Sequence, residues 1–197
     1  VSWQSFEVIN ASRSMADRII MGIDPGTNKM GYGVIRVCGR KVSFVTMGYI
    51  DLSRFKTPYL KLGHIYQRVS SLVAEYKPDA VALEAPFFGE NVQSMLKLGR
   101  AQGVAIAAAS AYCSEIFEYA PTKVKIAVAG TGGATKLQVA EMLRHILSLK
   151  ELPSNLDSTD GLAVALCHHL QETAPFTASG SKGGWKDFIA KNPERVK

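Results

Sequence analysis

Apolar positions fall along this chain in two rhythms. Near the start, "RIIMGID", "GYGVIRV" and "KVSFVTMGYI" are short apolar runs, parted by the turns "DPGTNK" and "CGRK". Runs of this length bounded by Gly, Pro, Asn and Asp read as strands, which predicts an antiparallel meander over Ile19–Asp24, Gly31–Val37 and Lys41–Ile50. The rhythm then changes. Leu60, Leu62, Ile65, Val69, Leu72 and Val73 recur at helical spacing, predicting a helix over Tyr59–Glu75 that ends before Pro78. "AVALE" (Ala80–Glu84) is again a continuous apolar run, which a helical crossover would lay parallel to the first strand. A second helix is expected over Val92–Ala111, where Gly99, Gly103 and Ala107 permit close approach of a sheet or of a second subunit. A strand within Ser114–Pro121 follows. Thr135–Leu149 reads as a helix opened by a capping box of Thr135 and Gln138, and a last helix runs from about Ser154–Leu156 to Gln171. The order β-β-β-α-β-α-β-α-α predicts an α/β layer fold with a mixed five-stranded sheet flanked by helices.

Length and composition narrow the picture. A chain of 197 residues, 47% hydrophobic, holds one core with tails. We expect an N-terminal extension at 1–17, a domain at 18–172 and a flexible basic tail at 173–197. No apolar run is long enough to span a bilayer, and no segment reads as a signal peptide, so no membrane is expected. Cys38, Cys113 and Cys167 lack metal-ligand spacing and are expected to be reduced and buried, in the cytoplasm. The net charge of +6 fits a polyanion partner and fits a mildly basic soluble protein equally well. The tail segment "KGGWKDFIAKNPERVK" places Trp185, Phe188 and Ile189 at helical spacing; it reads as a solubilising tail or as a segment that docks on DNA or a partner. "GTGGATK" fails the phosphate-loop pattern because Thr135 stands where the second glycine belongs, which leaves a loop.

Four acids stand out by position. Asp24 ends the first strand and Glu84 the fourth, and adjacent parallel strands present their C-terminal ends at one edge of the sheet, where ligands bind. Asp157 and Asp160, three apart, share one face of the last helix. Each also has a plain reading: Asp24 as a turn initiator, Asp157 and Asp160 as companions of a helix N-terminus. Glu84 is harder to dismiss, because a buried strand ending in a carboxylate needs a partner for the charge. Converging carboxylates repel one another unless a counter-charge is supplied, and Mg²⁺ takes oxygen ligands and shares phosphate oxygens. Two such ions suit phosphodiester cleavage.

With these acids in place, "GIDPGTNKMGYGVI", "ALEAPFFGENVQSMLKLGRAQGVAIAAA", "FEYAPTKVKIAVAGTGGATKLQVAEML" and "DSTDGLAVALCHH" resemble RuvC-type Holliday-junction resolvases, over about Arg18 to Leu170. The resemblance implies an RNase H-like fold, a homodimer, and Mg²⁺-dependent symmetric cutting of four-way DNA junctions, with Mn²⁺ as a substitute and a branch-migration helicase as partner. It implies that Asp24, Glu84, Asp157 and Asp160 are the catalytic, metal-binding acids. It also matches Phe87 to an aromatic that stacks on a junction base, and Lys125 and Lys136 to basic residues near the cut strand; Lys97 and Arg100 are further DNA-contact candidates. The alternatives are a nucleotide-hydrolysing enzyme of the actin-like fold, whose first phosphate loop "GIDPGTNKMGYG" resembles, and a junction-binding module without chemistry. His168 lies about two turns past Asp160 and reads as an ordinary buried or surface histidine.

Overall fold

The computed structural model describes residues 17–86 and 91–173. In chain order the elements are β1 (Asp17–Asp24), β2 (Lys29–Cys38), β3 (Lys41–Asp51), α1 (Pro58–Tyr76), β4 (Ala80–Glu84), α2 (Val92–Ser110), β5 (Ile116–Tyr119), α3 (Pro121–Ala129), α4 (Lys136–Ile146) and α5 (Asp157–Thr173). The sheet runs β3-β2-β1-β4-β5. β1, β2 and β3 pair antiparallel, while β1–β4 and β4–β5 pair parallel. This is the mixed five-stranded α/β layer fold that the patterning predicts.

The helices start where local chemistry satisfies their free N–H groups. Thr57 caps α1 by accepting from the Leu60 amide, and Asn91 caps α2 by accepting from the Ser94 amide. The capping box of α4 forms as expected: Thr135 Oγ1 accepts from the Gln138 amide at 3.3 Å, and the Thr135 amide donates to Gln138 Oε1 at 2.8 Å.

Strand alternation divides the core between two faces. Met21, Ile23, Val81 and Leu83 pack beneath α1 and α2, against Ile65, Val69, Ala101 and Ala105. Ile20, Ile35 and Ala82 pack on the other face with Val124, Leu143, Leu162 and Leu166 from α3, α4 and α5. Fully burying a side chain such as Leu162 contributes about 1.5–3 kcal/mol, and α5 is buried along most of its length.

Three expectations are corrected. The expected order has no element between the strand within Ser114–Pro121 and the helix at Thr135, where the structure has α3; the apolar residues of "PTKVKIAVA" alternate, but only Val124 and Val128, four apart, are buried. Cys38 is exposed rather than buried; Cys113 and Cys167 are buried, and all three are free thiols. On α2 the sheet is met by Ala101, Ala105, Ala108 and Ala109, whereas Gly99 and Gly103 face open space. Phe87 lies outside the described residues, as do the expected extension at 1–17 apart from Asp17, which opens β1, and the expected tail at 173–197 apart from Thr173, which ends α5. Among the described residues no helix is long and apolar enough to cross a membrane.

Candidate active site

Ile23 of β1 pairs with Leu83 of β4 in a parallel register, so Asp24 and Glu84 follow as next neighbours at the ends of adjacent strands. Alternation puts both acids on the face of Gly22 and Ala82, the face that α5 covers. α5 lies very close to the sheet because glycines remove side chains at each crossing. A Cβ at Gly22 would strike the Gly161 and Ala165 backbone, one at Gly31 the Asp157 carbonyl, and one at Gly161 the Tyr32 backbone. This meeting of backbone on backbone carries the first turn of α5, with Asp157 and Asp160, to the ends of β1 and β4.

The acids feel one another. Burial pushes Asp24 up to about 8, reinforced by the charges of Glu84 and Asp160. Burial also raises Glu84 to about 7, with Asp160 adding to the rise and Lys125 and Lys136 opposing it. Asp160 is raised by burial and held back by Lys136. Asp157 behaves in the opposite way: its bond to Lys136 holds it below the usual carboxylate range. Thus Asp24, Glu84, Asp157 and Asp160 come together at one rim.

Lys136, the first residue of α4, is the cation that touches two of them. Its Nζ lies 2.5 Å from Asp157 Oδ1 and 2.6 Å from Asp160 Oδ2. Burial works against its charge, but its bonds to Asp157 and Asp160 more than reverse that, and its pKa rises. A lysine in the first turn of a helix opposes the macrodipole, and these two carboxylates account for its place there. Lys125, on α3, is close enough for its charge to lower both Glu84 and Asp160. Lys97 and Arg100 are elsewhere: they line a cleft between α1 and α2, on the opposite face of the sheet.

Among the described residues no three acidic, histidine or cysteine side chains already form a cage for a metal ion. The ammonium of Lys136 stands between two of the carboxylates. The donor set nevertheless fits a hard divalent cation: every candidate ligand is a carboxylate oxygen, and Asp24, Glu84 and Asp160 all remain raised despite Lys136.

Several contributors are not singled out by sequence reasoning. Lys29 Nζ approaches Asp157 Oδ2 at 3.2 Å; its place beside the turn of "DPGTNK" is the only signal. Gln102 Nε2 donates to the Glu84 carbonyl at 3.3 Å and to Glu118 Oε1 at 2.5 Å, and a glutamine inside the alanine stripe of α2 is a signal that could have found it. His168 serves the core: it is fully buried, its Nδ1 is 2.8 Å from the Tyr119 hydroxyl, and its ring lies 4.3 Å from that of Phe117.

Comparison with known proteins gives the family. The family described as "Crossover junction endodeoxyribonuclease RuvC" matches residues 20–168. A protein of that name from Bacteroides fragilis is 58% identical over 183 residues, covering 92% of this chain and 97% of its own. One from Porphyromonas gingivalis is 49% identical, covering 93% and 100%. Among solved structures, "T. thermophilus RuvC in complex with Holliday junction substrate" superposes with a TM-score of 0.72 at 35% identity, covering 79% of this chain and 94% of that one.

Proposed function

The chain belongs to the crossover junction endodeoxyribonuclease RuvC family and is on that footing a Holliday-junction resolvase of DNA recombination and repair; we propose that it cuts at the rim formed by Asp24, Glu84, Asp157 and Asp160. The observation that carries this reading is the elevation of Asp24 and Glu84, to about 8 and about 7, first by burial and then by neighbouring acids that include Asp160 from a distant segment. Such a crowd of acids is destabilising on its own and acquires a purpose when cations and a phosphate chain arrive.

The four carboxylates would hold Mg²⁺, two ions per site, with Mn²⁺ able to substitute. When bound, the ions supply Lewis acidity at the scissile phosphodiester and ease ionisation of the attacking water. The chain's own residues do the rest. Strand ends keep Asp24 and Glu84 rigid, and α5, fixed by its glycine crossings, sets the spacing of Asp157 and Asp160. Lys136 balances those two acids in the free protein, and with the N-terminus of α4 it faces the phosphate when DNA enters. Lys125 adds positive charge beside Glu84. Hydrolysis in this manner leaves 5′-phosphate and 3′-hydroxyl ends.

The symmetric substrate calls for two sites, and we place the second in another copy of the chain. The exposed stripe of Leu96, Gly99, Gly103 and Ala107 on α2, with open space over both glycines, supports a homodimer interface there. Phe87 would stack on an unpaired junction base, worth ~1–3 kcal/mol, and Lys97 and Arg100 would meet the DNA backbone. The nuclease unit is taken as 18–172, with 173–197 a basic tail; a branch-migration helicase would hand on the junction, in the cytoplasm.

The test is a synthetic four-way junction incubated with and without Mg²⁺. Paired symmetric nicks are expected with the ion. Asp24→Asn should lower the cutting rate by ~10³-fold or more, the equivalent of several kcal/mol of missing charge stabilisation, while junction binding persists. Undiminished cutting by Asp24→Asn would remove Asp24 from the mechanism.

A further inference from the structure

A second candidate lies behind the acids. The turn that follows Asp24 forms a wall of a cleft of about 380 Å³ between α1 and α2, on the face of the sheet opposite the carboxylates. Lys56, Lys61, Lys97 and Arg100 all line it, and among the described residues no acid does. Its floor is apolar, with Leu52 and Ile65 fully buried. One of the cations is already anchored: Lys61 Nζ donates to the Thr27 carbonyl at 2.8 Å and to Asn28 Oδ1 at 3.0 Å. The positive field extends beyond the lining. His64, whose ring lies 4.7 Å from that of Phe55 at the cleft, is held below its ordinary range by burial first and then by Arg54 and Arg68, with Asp51 opposing.

Lysines on a helix surface are ordinarily solvated and spread apart. Here four cations line one concavity whose floor excludes water. Such a cleft concentrates field lines and attracts anions. It also shares parts with the acidic rim. Thr27 and Asn28 belong to the turn that leaves Asp24, and Gln102, next to the lining residue Ala101, holds the Glu84 carbonyl. A polyanion seated at the rim therefore has a second place to be gripped nearby, across the sheet.

We propose that this cleft seats a backbone phosphate and its adjoining sugar from the same junction, outside the strand being cut, so that each subunit holds the DNA on both faces of its sheet. The proposal rests on the resolvase reading and adds Lys56 and Lys61, with the turn residues Thr27 and Asn28, to the DNA-contact surface.

The test measures junction affinity in EDTA as a function of salt for Lys56→Gln/Arg100→Gln, both exposed positions. The comparison is Lys41→Gln/Lys150→Gln, which removes the same charge from a groove between β3 and the end of α4. The cleft variant should weaken binding about tenfold or more at 0.1 M salt, and the slope of log Kd against log salt should fall by about 1 for each phosphate that is no longer neutralised. The comparison variant should stay within about twofold of wild type. Equal weakening of the two variants would reduce the effect to net charge and overturn the proposal. Thymidine monophosphate separates the two sources of a sugar phosphate. Micromolar binding that the cleft variant abolishes would assign the cleft to a free nucleotide and overturn the junction assignment; no such binding is expected. A wild type that binds the junction and leaves it whole in Mg²⁺ would defeat the resolvase reading alone. Unchanged junction affinity in the cleft variant, with cutting retained, would defeat the cleft alone.

Discussion

The two faces of the sheet carry opposite charge at the same turn. On the α5 face, Asp24, Glu84 and Asp160 are partly buried on rigid backbone, and burial raises all three. On the α1–α2 face, Lys56, Lys97 and Arg100 stand on exposed positions around a cleft. The acids are held by main-chain geometry with little freedom to move, as chemistry at fixed atoms requires. The cations are held by flexible stems, which suffices for gripping a phosphate chain whose details vary. The difference suggests that the acidic face will be brittle toward small changes of shape and the basic face tolerant of them.

The sharpest way to break that contrast is a methyl group. Gly161→Ala places a Cβ against the Tyr32 backbone, and neither main chain can yield without shifting the helix that carries Asp157 and Asp160. Overpacking costs typically 1–3 kcal/mol, and with backbone on both sides we expect about 3 kcal/mol or more by urea denaturation. On α2, Gly103 faces open space, and alanine there favours the helix by ~1 kcal/mol before any subunit interface is considered. A Gly161→Ala protein as stable as wild type would show that α5 is not seated by backbone against backbone.

Next in size is pH. Asp24 titrates near 8 in the folded protein against an ordinary 3.8, and Glu84 near 7 against 4.5. A carboxyl with a raised folded pKa prefers to be protonated in the fold. Its contribution is therefore full below the unfolded value and is lost as pH rises through the folded one. In EDTA, stability should fall by a few kcal/mol between about pH 5 and pH 8.5, since a tenfold change in proton affinity on folding corresponds to about 1.4 kcal/mol. Asp157, displaced downward, loses its contribution only below the ordinary carboxylate range and lies outside this window. Melting curves across the window should flatten in Asp24→Asn, and in wild type with Mg²⁺, yet keep their slope in Lys56→Gln. A wild-type curve that is flat in EDTA would contradict the burial of the acids.

The same contrast explains how much is legible in the sequence. Asp24 and Glu84 close apolar runs, and strand ends are visible in a one-dimensional pattern; Asp157 and Asp160 share a helix face by spacing alone. The glycines of "MGID" and "GYG" are equally visible, but their role is not, because it depends on which helix crosses them. α3 is hidden because its exposed Ile126 fills out an alternating pattern that burial does not follow. Lys56 and Lys61 give no signal at all. They belong to the loop before α1 and to its first turn, and only the packing of α1 beside α2 brings them to Lys97 and Arg100. Charges fixed by a strand's own ends can be read in order along the chain; charges gathered from separate helix surfaces cannot.

The smallest predicted effect concerns the residue that joins the cleft to the turn after Asp24. Lys61 directs two of its protons to the turn, at Thr27 and Asn28, and contributes its charge to the cleft. Lys61→Met keeps the apolar stem and removes both functions. Losing two partly exposed hydrogen bonds should cost only about 1–2 kcal/mol of stability. The turn is joined directly to Asp24, so its release should show as faster amide hydrogen exchange over residues 26–29. Junction affinity should fall as well, because one phosphate partner is gone. If exchange in the turn is unchanged while affinity drops, Lys61 serves the DNA alone. If exchange quickens and affinity holds, it is a strut for the acidic rim and the cleft loses one of its four cations. We expect both to move, because this single ammonium both bonds the turn and lines the cleft.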